Sequence, residues 1–290
     1  MSRPIDVLHL GRDRVICAYE IGGLIVDPGP ASCVETLIDR LGPVEPRALL
    51  LTHIHLDHAG ATGTILRRHP GIRVAVHERG ARHLVDPSKL VESASRLYGD
   101  LMETLWGEVA PVPERNLIVL SGGETIEAGG RSFEVEYTPG HASHHVCFFD
   151  RSSGIAFVGD TAGVCVDGGY VLPPTPPPDI DVELWLESIQ KIDRWRPSTL
   201  FLTHFGPVTS GVSAHLQALA DNLQRSAALV RESLVTEGTD EERKAQYEAR
   251  MMAELRAQMP EELARAYETA AGFRMSWPGL ARYWRKKVGS

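Results

Sequence analysis

The sequence predicts an α/β fold prolonged by helices at its C-terminal end, and two observations carry the prediction. Short apolar runs at 46–51, 133–137, 154–158 and 199–202 alternate with helical patterns, and each run ends in a turn that carries His or Asp. Beyond Pro207 the character changes to long stretches of helical period rich in Ala, Leu, Glu, Gln and Arg.

In chain order, Val7–Leu10, Val15–Glu20 and Leu24–Asp27 read as short strands, the last two joined by a tight turn at Gly22-Gly23. Ser32 to Leu41 reads as a helix and Pro46 to Leu51 as a buried strand. That strand runs into Thr52-His53-Ile54-His55-Leu56-Asp57-His58, a turn with four potential metal ligands, His53, His55, Asp57 and His58, in six residues. Imidazoles and carboxylates are the donors zinc prefers, and they also suit iron and manganese. Ala59 to Arg68 then reads as a helix and Val74–His77 as a strand.

Residues 80–116 read as an insertion of one or two amphipathic helices, with Leu84, Leu90, Leu97, Tyr98, Leu101, Met102, Leu105 and Trp106 at helical spacing. This face either packs on the core or forms a lid, and Tyr98, Met102 and Trp106 are its candidate substrate contacts. His9, His69, His77, His83 and His215 are read as structural. Phe133–Tyr137 alternates like a half-buried strand and leads into Thr138-Pro139-Gly140-His141, with His144 and His145 behind. The run Gly154–Val158 ends in Gly159-Asp160-Thr161.

The following loop, 163–181, contains Tyr170 and five prolines among residues 173–178. Proline fixes φ and removes donors, so this run is expected to be a stiff, extended wall beside the site. Asp181 to Trp195 reads as a helix, and Thr199–Leu202 as a strand ending in Thr203-His204. Val212–Val235 and Glu241–Met259 read as long helices, Thr239 and Glu242 as a capping box, and Pro260 as the first turn of a third helix reaching Ala271. The tail Phe273–Lys287 is expected to dock through Trp277, Leu280, Tyr283 and Trp284, leaving its basic residues solvated.

Taken in order, His53-x-His55-x-Asp57-His58, Pro139-Gly140-His141, Gly159-Asp160-Thr161 and Thr203-His204 resemble the metallo-β-lactamase superfamily. The resemblance implies an αββα four-layer sandwich over residues 1–210, interrupted by the helical insertion; the helical patterns beyond it read as a subdomain over 211–290. The resemblance also implies one metal on His53, His55 and His141 and a second on Asp57, His58 and His204, with Asp160 bridging. Asp27, in Val26-Asp27-Pro28-Gly29, and His145 would orient these ligands from behind. Two divalent ions are implied, zinc foremost, with iron or manganese as alternatives. Ions roughly 3.5–4 Å apart share a water and lower its pKa toward 7. The implied chemistry is attack by a bridging hydroxide held by Asp160 on an ester or thioester, with Asp57 as proton shuttle.

The helical extension and the His141 to His145 spacing resemble glyoxalase II, a thioesterase. Two departures stand against a direct transfer: Gly159–Asp167 lacks that group's Gly-Cys-Gly-Arg-type stretch, and no clear counterpart to its glutathione-binding basic residues is present. Acyl-homoserine lactonases share all seven ligands, but position 163 is Gly where they carry Tyr, and Tyr170 would have to fold back to replace it. A reading of another class is a ligand-binding regulator or an iron redox module on the same scaffold. The lack of a Cys-x-x-Cys pair or flavodoxin-like segment weighs against the redox form.

Composition narrows the partners. A net charge of −8 over 290 residues gives no nucleic-acid footprint, and a small-molecule substrate is expected. The four cysteines are expected to be reduced and mostly buried. With neither a signal-peptide core near Met1–Arg14 nor an 18-residue apolar run, a cytoplasmic protein without a membrane segment is expected. The aromatic tail could form a homodimer contact.

Overall fold

A computed structural model describes residues 2–288. Two six-stranded sheets face one another, each with its strands in chain order. The first holds β1 (Arg3–Asp6), β2 (Cys17–Ile21), β3 (Leu24–Val26), β4 (Ala48–Leu50), β5 (Arg73–His77) and β6 (Leu117–Leu120). The second holds β7 (Thr125–Ala128), β8 (Arg131–Tyr137), β9 (Val146–Asp150), β10 (Ile155–Phe157), β11 (Thr199–Leu202) and β12 (Gly206–Val208).

Strands β3 to β6 are parallel. Parallel neighbours need crossovers, and helices supply them. These are α1 (Val34–Leu41), then α2 (Leu56–Ala59) with α3 (Thr62–Arg68), then α4 (Glu78–Val85), α5 (Ser88–Tyr98) and α6 (Met102–Trp106). In the second sheet β10 and β11 are parallel, with α7 (Val182–Trp195) between them in the chain. The C-terminal part is α8 (Val212–Ser233), α9 (Asp240–Gln258), α10 (Glu261–Ala271) and α11 (Phe273–Val288).

The period-two alternation of the strands sorts side chains into layers. Tyr19, Leu50, Phe133, Phe148, Phe157 and Phe201 meet between the sheets. From the outer face of the first sheet, Ile25, Leu49 and Val74 pack on Leu37 of α1 and Ile65 of α3. From the second, Phe149, Leu200 and Leu202 pack on Trp185 of α7 and Leu219 of α8. The result is a four-layer αββα sandwich. Helices α8 to α11 share one buried core with α7 and that outer face, through Leu223, Met251, Tyr267 and Trp277.

Several expectations are corrected. The strand expected at Val7–Leu10 lies earlier, at Arg3–Asp6. The Asp6 carboxylate accepts from the Leu8 and Arg14 N–H groups, and Leu8, Leu10 and Arg14 take positive φ, so this stretch becomes an irregular loop. Strand β2 begins at Cys17, opposite Asp6 of β1, and the Val15 carbonyl before it bonds the His204 ring. The insertion holds three α-helices rather than one or two. The tail is helix α11, with Pro278 inside it and Phe273, Trp277, Leu280 and Tyr283 buried; Trp284 is half-buried and its indole bonds the Ala227 carbonyl. The capping box at Thr239 and Glu242 forms as expected. All four cysteines are unpaired and buried. No helix among the described residues is long and apolar enough to cross a membrane.

Candidate metal centre

The residues singled out at four strand ends converge on one point. Atoms of His53, His55, His141 and Asp160 lie within 4.8 Å of one another, and so do those of Asp57, His58 and His204. Asp160 joins the two groups. Its Oδ2 is 3.2 Å from His141 Nε2, while its Oδ1 is 3.3 Å from His58 Nε2 and 3.6 Å from His204 Nε2. Asp57 Oδ2 sits 3.3 Å from His204 Nε2. The turn expected after β4 is tighter than the sequence suggested. Asp57 and His58 lie on the single-turn helix α2, whose N-cap is His55.

Three of the rings are held from their far sides. His58 Nδ1 lies 2.9 Å from Asp27 Oδ2, His141 Nδ1 lies 2.9 Å from the Pro174 carbonyl, and His204 Nδ1 lies 2.7 Å from the Val15 carbonyl. This leaves the Nε2 atoms of these three facing the shared point, where His55 presents its Nδ1, 2.9 Å from His53 Nε2. Asp27 also accepts from the Thr52 N–H and hydroxyl at 2.8 and 2.7 Å and from the Thr203 hydroxyl at 3.0 Å. The carboxylate thereby ties β3, β4 and β11 together behind the ligands. His145 Nδ1 contacts the hydroxyls of Thr138 and Thr161 at 2.9 and 3.1 Å, and its ring stacks near His53.

The donors fit a metal pair. His58 Nε2 and Asp160 Oδ1 are buried without a hydrogen-bond partner, an expensive state unless something else coordinates them. Donors on one tetrahedral zinc stand about 3.3 Å apart. The contacts around Asp160 straddle that spacing, at 3.2, 3.3 and 3.6 Å. Burial drives His53 well below the ordinary imidazole range, and His58, His55, His145 and His141 push it further. His55 falls to about 4, by burial first and then by His141. Neutral rings are what a cation requires. Burial acts to lower His58 and His204 too, but Asp160 and Asp57 outweigh it and raise both.

Beside the donors opens a cavity of about 240 Å³. His55, Asp57, Asp160 and His204 form one end; Tyr98, Leu105 and Trp106, the prolines at 174 and 176–178, and Ala270 and Met275 wall the rest. Tyr98 and Trp106, the candidate substrate contacts, lie on the cavity wall. Met102 packs behind them with Leu56 and Ala94 and is not on the wall. Tyr170 does not fold back: its ring packs in the core against the C-terminal helices, and its carbonyl accepts from the Tyr267 hydroxyl at 2.6 Å. His9, read as structural, lines the cavity stacked on Trp106, with ring centroids 5.6 Å apart.

Sequence reasoning did not single out Thr52, Thr203, Val15 or Trp185, whose indole N–H bonds the Thr161 carbonyl at 2.9 Å beside the His141 ring. The available signal was Gly140: a Cβ there would stand 2.3 Å from Trp185 Cα, so the ligand turn needs glycine against α7.

The chain is similar to several known proteins. A metallo-β-lactamase fold-containing protein of Sulfurisphaera tokodaii is 28% identical over 222 residues, 74% of this chain and 81% of that protein. A hydroxyacylglutathione hydrolase of Serratia proteamaculans is 32% identical over 142 residues, which span 48% of this chain and 41% of the enzyme. The solved structure of a metallo-β-lactamase family protein from Thermus thermophilus superposes with a TM-score of 0.70 at 20% identity, covering 99% of this chain and 93% of that one. The sequence model of the metallo-beta-lactamase superfamily matches residues 16–204, from the start of β2 to the last histidine of the cluster, and this chain belongs to that superfamily.

Proposed function

We propose that this chain is a binuclear metal-dependent hydrolase acting on a thioester or ester with an apolar acyl arm. The observation that carries the reading is the pair of donor groups joined by Asp160 at one end of a largely apolar cavity. The partial match to hydroxyacylglutathione hydrolases supports the thioester form. No Lys or Arg lines this cavity among the described residues, which favours an uncharged arm there.

Two divalent ions held by these donors would supply Lewis acidity and a water acidified toward pH 7. Zinc is the ion we assign, since its preferred nitrogen and oxygen donors are all present; iron and manganese fit the same set. The chain's own residues do the rest. The Asp27, Pro174 and Val15 anchors fix the ring orientations, so the donors need little rearrangement. The Asp57 side chain, 23% exposed, is the carboxylate open to the cavity. It takes the proton of the attacking water at Oδ and returns it to the departing sulfur or oxygen as the acyl bond breaks.

The test is metal analysis beside a panel of thioesters, esters, lactones, phosphodiesters and a chromogenic β-lactam. Two metals per chain and thioester or ester turnover, lost with a chelator and restored by zinc, are expected. Turnover confined to lactones would replace the thioester reading, for which the same apolar wall also has room. Two metals with no turnover would reject a hydrolase in favour of a ligand-binding regulator.

A further inference from the structure

A second cleft, of about 790 Å³, also has His55 in its lining. His55, Leu90, Ser93 and Pro178 line both spaces, so the two adjoin at one of the donor residues, His55. The lining chemistry is opposite. Where the first cavity has no Lys or Arg, the second gathers Arg79 and Arg82 from α4 and Lys89 from α5.

These three cations are exposed, and none makes an ion pair among the described residues. Arg82 Nε donates to His83 Nε2 at 3.2 Å, and Arg79 lies over the Tyr137 ring at 5.6 Å. Elsewhere arginines are satisfied by carboxylates, as in Arg67 with Glu108 and Arg256 with Glu261. Burial lowers the His83 pKa, and Arg82 and Lys89 lower it further, which places both charges at one spot. Two carboxylates also line the cleft. Asp179 is engaged by the Ser143 hydroxyl at 2.6 Å, and Glu78 lies in the first turn of α4. Unpaired cations around one opening are a receptor for carboxylate or phosphate oxygens.

We propose that this cleft binds the anionic arm of the thiol leaving group, so that the substrate straddles His55 with its apolar acyl arm in one space and a carboxylate- or phosphate-bearing arm against Arg79, Arg82 and Lys89 in the other. The proposal rests on the thioester reading above and adds the leaving-group class. It accounts for two spaces of opposite character that share His55 in their walls, and it puts the scissile carbonyl beside that residue.

The test compares hexanoyl thioesters of N-acetylcysteamine, glutathione and coenzyme A, which share the acyl arm and differ in leaving-group charge. In zinc-loaded protein the anionic thioesters should exceed the neutral one in kcat/KM by about tenfold or more, about 1.4 kcal/mol. That ratio should fall toward one in the Arg82→Glu, Lys89→Glu double variant and at high salt. The glutathione and coenzyme A arms separate a carboxylate from a phosphate receptor. An independent readout is calorimetric binding of desulfo-coenzyme A and S-methylglutathione to metal-free protein, lost in the double variant. Equal kcat/KM for all three thioesters overturns the leaving-group subsite and leaves the hydrolase standing. Anion binding that depends on Arg82 and Lys89, without turnover of any thioester, overturns the thioester reading instead. Binding of neither anion to the wild-type protein overturns the subsite on its own.

Discussion

Asp160 and Asp27 illustrate how single carboxylates organise the centre. Asp160 approaches ligands of both groups, through different oxygens. Burial works against its ionisation, yet His58, His141 and His204 hold its carboxyl well below the usual range. Asp160→Ala should therefore lower metal content below two per chain and abolish turnover; two retained metals with normal rates would reject the bridging role. Asp27 acts from behind. It sits at φ +48°, a conformation Asp and Asn tolerate better than most side chains, and it accepts from Thr52, His58 and Thr203. Asp27→Asn keeps the backbone but breaks the charge-assisted contact with His58, so metal affinity should fall by about 10- to 100-fold. Competition with a chromogenic chelator measures this, and unchanged affinity would reduce Asp27 to a strand tie.

At the scale of elements, α5 and α6 carry Tyr98 and Trp106 onto the cavity wall, where Trp106 stacks on His9 and meets Tyr98 edge-on. The cluster beneath is small, Leu56, Ala94 and Trp106, and separate from the main cores. Such a unit can move without unfolding the sandwich. Trp106→Ala should cost about 3 kcal/mol of stability and raise KM severalfold for apolar acyl substrates, with both metals retained. Unchanged kinetics on every substrate hydrolysed would make the insertion packing alone. The contrast between legible and illegible elements has physical causes. The strand ends carrying His53, His141, Asp160 and His204 were readable because apolar runs stop at donor-bearing turns. Strand β7 was not, since Thr125–Ala128 offers one large apolar residue, Ile126. Strand β12 was not, since its Pro207 suits an edge position that weakens the pattern. Tyr170 was misplaced because sequence distance from Asp160 says nothing of a long-range bond to Tyr267, 97 residues away.

For the whole molecule, the C-terminal helices complete the site although they supply none of its metal-ligand candidates. Ala270, Gly272 and Met275, at the junction of α10 and α11, line the same cavity as residues of α5 and α6, and so does the proline run. Helix α11 can approach that run because Gly279 lies against it: a Cβ there would stand 2.0 Å from the Thr175 carbonyl oxygen. Contact with a backbone oxygen cannot be relieved by a rotamer change, so Gly279→Ala must shift the helix or the loop. The expected cost is about 1 to 3 kcal/mol, read as a lower Tm. The donors sit on strand ends and on α2, away from this contact, so two metals should remain. The shifted wall should appear as a raised KM for long acyl chains relative to short ones, with kcat on the shortest less affected. Loss of metal in Gly279→Ala would show instead that the Pro174 carbonyl, bonded to His141 one residue before Thr175, couples the helical extension to the ligands themselves.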